Sequence, residues 1–157
     1  MLINHALLLN KTNQFDGAKQ LLEQVERDLA PLERTKQPEV VARLAKARSE
    51  LGQQLLMTGH APDAVEKIRA AIATYRTLCT LAPDHPPHLE GLAAARISLA
   101  NAQRVLGRDA EVVAAYEASA KDYDDLLKAR PGVPHYLESL AVVRTDLAQV
   151  LHLFADG

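Results

Sequence analysis

The sequence predicts an all-α protein built from antiparallel helix pairs stacked side by side. Three observations lead there. Leucine and alanine recur at spacings of three and four along most of the chain, as on one face of a helix, and strand-type alternation is absent. Tight turns at 13–17, 59–62 and 107–109 alternate with proline breaks at Pro38, at Pro83, Pro86 and Pro87, and at Pro131 and Pro134. The chain also repeats itself at a period of 48 residues.

Taken in order, helices are expected at 2–12, 14–36, 39–58, 62–82, 87–106, 109–130 and 134–155, about seven in all. The first is a short apolar run that ends at the Asn13 turn. The second carries Pro31, which should kink or end it early, because proline lacks an N–H and clashes with the preceding turn. The remaining five are framed by the glycine turns and proline breaks.

The repeat sets the register. Residues 41–88 align with 89–136 without a gap, pairing Leu44/Leu92, Arg48/Arg96, Leu51/Leu99, Gly59/Gly107, Tyr75/Tyr123, Leu78/Leu126 and Pro83/Pro131 among others. A partial third copy places Leu140, Arg144 and Leu147 on Leu92, Arg96 and Leu99. The start of the chain fits as a degenerate copy at an offset of 46, with Asn13 at the turn of Gly59 and Ala18 and Leu22 on Ala64 and Ile68. Residues 1–157 thus read as one array: a degenerate repeat (1–38), two full repeats (39–86 and 87–134) and an unpaired first helix of a further repeat (135–157). Such helix pairs cannot bury their faces alone, so they stack, as a right-handed α-solenoid with a concave side.

Composition narrows the function. With 48% hydrophobic and 24% charged residues the chain should be ordered, and with 4% aromatics and no tryptophan its core must be aliphatic. A net charge of -2 and the lack of a basic cluster argue against nucleic acid or anionic membrane as partners. No apolar run approaches the ~18–20 residues of a membrane helix. The N-terminus lacks the charged region and cleavage site of a signal peptide, and the single Cys79 forms no internal disulfide, so a cytoplasmic location is expected. No Ser/His/Asp or Cys/His constellation, phosphate-binding glycine loop or paired-carboxylate motif appears, and neither enzyme activity nor a cofactor is expected. His85 and His88 form at most half of a metal site, and none is expected.

The register resembles that of the tetratricopeptide repeat, whose outline is W-x2-L-G-x2-Y, then A-x3-F, then P. Here it reads Arg48-x2-Leu51-Gly52-x2-Leu55, Ala64-x3-Ile68 and Pro83, then Arg96-x2-Leu99-Ala100-x2-Gln103, Val112-x3-Tyr116 and Pro131, then Arg144-x2-Leu147-Ala148-x2-Leu151. The small residues Gly52, Ala100 and Ala148, and Ala71 and Ser119 in the second helices, would allow close approach. The period departs from that family's, 48 against about 34, so each helix should gain about two turns and reach about 30 Å. Such elongated repeats resemble those of large multidomain bacterial proteins. The resemblance implies a non-catalytic scaffold that binds a protein or peptide in its concave groove. Carrying the family's groove positions over gives Lys46, Ser49, Gln53 and Leu56, then Ala94, Ile97, Asn101 and Arg104, then Val142, Thr145, Gln149 and His152. Side-chain amides such as Gln53 and Asn101 suit a peptide backbone, since they donate and accept. The lysines and asparagines of the family's carboxylate clamp are too few for chaperone tails.

A second departure is arginine at the family's large aromatic site, in Arg48, Arg96 and Arg144. Each lies on an apolar stripe, where an unpartnered guanidinium costs several kcal/mol. It must reach water, pair with an acid, or stack on a ring. Tyr75 and Tyr123 lie level with the ladder and offer stacking, Asp122, Asp124 and Asp125 offer pairing, and a bound acidic ligand is the functional alternative. The last helix carries Leu137, Leu140, Leu147, Val150, Leu151 and Phe154, too many apolar residues for one neighbour. Without a polar capping helix, either the chain is a piece of a longer protein or that end docks on a partner, a homodimer through the last helix being one such arrangement.

Overall fold

The computed structural model describes residues 2–155, with side chains from 2 to 153. Among the described residues the chain is helical throughout and forms no strand: α1 (Leu2–Lys11), α2 (Phe15–Leu29), α3 (Pro38–Met57), α4 (Ala61–Leu81), α5 (Pro86–Val105), α6 (Asp109–Ala129) and α7 (Pro134–Ala155). Each helix packs on the next in sequence. In addition α1 touches α3 and α3 touches α5, and no comparable approach joins α2 to α4 or α4 to α6. The odd helices α1, α3 and α5 therefore form the tighter side of the stack.

Local chemistry sets the helix ends. Gly59 and Gly107 adopt φ of +83° and +65°, and Asn13 takes the same left-handed role at +58°. After each, the chain closes a six-residue hydrogen-bonded loop: Gln14 N–H donates to the Leu9 carbonyl, His60 to Leu55 and Arg108 to Gln103. Prolines occupy the first turns of α3, α4 and α5, where a missing N–H costs nothing. The expected helix over 14–36 differs in its last turns. It ends as α-helix at Leu29 and tightens into a 3-10 segment, Ala30–Thr35, around Pro31.

The core is aliphatic, with Leu22, Leu44, Leu51, Ile68, Leu78 and Leu126 at most 1% exposed and Tyr116 fully covered. Small residues set the closest approaches. A Cβ on Gly52 would lie 2.5 Å from Ile68 Cγ1 on α4, so α3 and α4 meet almost backbone to backbone. Ala100, Ala71 and Ser119 are fully buried at their expected small sites. Ala148 is exposed, because α7 packs closely only on α6 among the described residues. No helix is long and apolar enough to cross a membrane among the described residues.

Gly52→Ala tests the close approach. Alanine is the better helix former by about 1 kcal/mol, yet the added methyl meets a fully buried Ile68. We expect a net loss of about 1–3 kcal/mol in thermal unfolding, as for other overpacked cores. An unchanged or raised Tm would contradict the packing.

Candidate functional site

Each ladder arginine projects from an odd helix toward the even helices beside it. Arg48, whose side chain is 14% exposed, donates from Nε to Glu26 Oε1 at 3.2 Å and from Nη1 to Glu33 Oε2 at 3.1 Å and Thr74 Oγ1 at 2.6 Å. Glu26 also accepts from Lys67 Nζ at 2.7 Å, so a four-charge network closes the α2–α3–α4 junction. Arg96, equally covered, donates from Nη1 to the Ala118 carbonyl at 3.0 Å and to Asp122 Oδ2 at 2.5 Å. Arg144 is open, 60% exposed, and bonds both oxygens of Asp124 at 3.0 Å.

The partners are thus carboxylates, and no arginine–tyrosine stacking occurs among the described residues. Tyr75 and Tyr123 serve the helix contacts instead. A Cβ on Gly91 would fall 2.4 Å from the Tyr75 ring, and one repeat later Ser139, the counterpart of Gly91, pulls down the Tyr123 hydroxyl that burial raises. Burial, with Glu50 nearby, pushes the Tyr75 hydroxyl up to about 12. Glu26 and Glu33, missed in the sequence, lie in the degenerate first copy, where the register is hardest to follow. Burial also holds the Asp122 carboxyl above its usual range, against the pull of Arg96.

The expected groove positions divide. Ser49 is 8% exposed and presents nothing to a partner. Lys46, on the same face one turn earlier, is exposed and lines a cleft of about 370 Å³ with Leu2 and Ile3 of α1. Gln53 is exposed and donates from Nε2 to Ser98 Oγ at 3.4 Å, which ties α3 to α5 at the surface. Asn101 Oδ1 accepts from Tyr116 Oη and from Arg104 Nη2, both at 3.1 Å, and so orients the exposed Arg104. Gln149 and His152 are exposed on α7.

One feature escaped the sequence reading. Met57, Val105 and Leu153 stand at the same repeat position, 48 residues apart. They are 68%, 66% and 73% exposed. Each follows an amide-bearing residue (Gln53, Asn101, Gln149) by one helical turn on the same face. Periodicity marked this row, but apolar residues at helical spacing read as core until burial is known.

The remaining candidates are plain. The His85 and His88 rings lie 4.3 Å apart, and no group of three or more His, Cys, Asp or Glu able to hold a metal forms among the described residues. Burial lowers the His88 imidazole, with His85 adding to it. Cys79 is half-buried, and burial, with Asp122 nearby, raises its thiol, which makes it a poor nucleophile. No protein-family model matches this chain, and no curated protein matches it significantly.

Arg96→Met should destabilise the fold by about 1.5–3 kcal/mol at pH 7, the scale of a lost charged hydrogen bond. The sign of its pH dependence follows from Asp122, whose folded pKa is raised. A raised carboxyl favours folding most below its unfolded value of 3.8, and that contribution fades as pH climbs through the folded value. Without Arg96 the carboxyl rises further. The Tm gap between wild type and Arg96→Met should therefore be widest near neutrality and narrow toward pH 4. A pH-independent gap would show that Asp122 does not respond to the arginine.

Proposed function

We propose that this chain is a non-catalytic interaction scaffold of the tetratricopeptide type, part of a larger bacterial protein, that binds a protein or peptide across its odd helices. The supporting observation is the repeated pair of an amide-bearing residue and an exposed apolar residue on α3, α5 and α7: Gln53 with Met57, Asn101 with Val105, Gln149 with Leu153. Nothing in the fold requires a large apolar side chain to stand in solvent at one position three times. An extended or helical segment laid over these helices gives the apolar row a cover and the amides a backbone to bond. Arg104, steered by Asn101, adds a charge to the middle of the surface.

A second reading has its own observation. Leu137, Val142 and Leu151 on α7 are 61%, 59% and 46% exposed, and α7 packs closely only on α6 among the described residues. A second copy of the chain is the alternative occupant, through self-association of α7. Phe154, expected to take part, has a side chain outside the described residues.

Peptides selected from a random display library on the wild-type chain separate these readings. Binders should weaken at least tenfold on Met57→Glu with Val105→Glu and be unaffected by Leu137→Glu, while light scattering reports a monomer. Binders indifferent to the α3–α5 pair would sink the scaffold reading, and a dimer dissolved by Leu137→Glu would favour self-association.

A further inference from the structure

The ladder compares one site with itself at successive junctions. At the first, the preceding even helix and its 3-10 extension supply Glu26 and Glu33 to Arg48, and the following helix supplies Thr74. At the last, α6 precedes and supplies Asp124 to Arg144. At the middle junction the following helix supplies Asp122, the counterpart of Thr74 48 residues on. The preceding helix, α4, gives Arg96 no acid.

It carries the opposite charge there. Arg76 stands 48 residues before Asp124, and Arg69 stands 48 before Glu117 and 46 after Glu23. Neither Arg69 nor Arg76 forms an ion pair among the described residues. The space beside them is a cleft of about 390 Å³ lined by Arg69, Arg76, Arg96 and Gln103 over apolar Ile72 and Leu99. Gln103 is fully buried, and its Nε2 has no hydrogen-bond partner. The one carboxylate on the lining, Glu111, is exposed in the first turn of α6.

We propose that this cleft binds an acidic peptide segment whose side-chain carboxylate meets Arg96, Arg76 and Arg69. Three guanidiniums and a buried amide donor suit an anion, and the planar fork of arginine suits a carboxylate in particular. The chain supports that choice, since it meets the other two ladder arginines with side-chain carboxylates from the same side. The apolar floor suits the aliphatic stem of glutamate or a neighbouring leucine. On α5 the cleft residues Arg96, Leu99 and Gln103 are centred roughly 130° around the helix from Ile97, Asn101 and Arg104. The site is therefore separate from the odd-helix surface proposed above, and either can fail alone.

A fluorescein-labelled Glu-Leu-Glu-Glu-Leu-Glu peptide and its glutamine analogue, measured by anisotropy at about 150 mM salt, test this. The acidic peptide should bind the wild-type chain at least tenfold more tightly than the analogue. Arg76→Asp should lower its affinity at least tenfold, by replacing a cation on the lining with an acid. If that variant does not fold, Arg76→Gln should show the same loss of affinity. Gln53→Ala with Asn101→Ala should leave this binding intact. Equal binding of the two peptides, indifference to Arg76→Gln, loss in the Gln53/Asn101 variant, or binding of inorganic phosphate without the peptide would each overturn the proposal.

Discussion

A guanidinium placed on the seam between helices must find an anion, or the helices cannot close over it. Arg48, Arg96 and Arg144 impose that requirement three times at a 48-residue period. How it is met decides what lies at each junction: two glutamates and a threonine at the first, one aspartate and a carbonyl at the second, an exposed aspartate at the third. At Arg48 the partners come from both even neighbours and tie three helices at once, whereas Arg96 and Arg144 each tie an odd helix to α6 alone. Covered and networked, as at Arg48, such a group specifies register; open to water, as at Arg144, it contributes little, about 0–1 kcal/mol.

The same requirement separates the two sides of the stack. Helices α1, α3 and α5 approach one another, α3, α5 and α7 present amides and apolar side chains outward, and an arginine-lined cleft opens among α4, α5 and α6. The proposed scaffold role draws on repeated side chains at fixed spacing and on large apolar residues left in solvent. The close packing of the helices comes from small residues. Gly52 and Ala100 bring paired helices together, and Gly91 receives the Tyr75 ring between α4 and α5.

The fold was legible because its signals are local and repeated. Glycine and proline mark the turns, and even the left-handed Asn13 could be read from its register with Gly59. Pro31 announced the end of α2, though not that the chain would continue as a 3-10 segment. The site was less legible, because its partners lie on other helices. The sequence pointed first to tyrosine stacking for the ladder and only second to aspartate, and only the helix orientation chooses the carboxylates. Ser49 matched a groove position by register but is buried, which spacing alone does not reveal. The apolar row of Met57, Val105 and Leu153 shared its spacing with the core, and burial alone tells them apart.

A double-mutant cycle measures the central claim. Arg96 and Asp122 should couple by about 1.5–3 kcal/mol in unfolding free energy, and Arg144 and Asp124 by less than about 1 kcal/mol. Equal coupling at the two sites, or none at Arg96, would contradict the view that covered guanidinium–carboxylate pairs hold the helices in register.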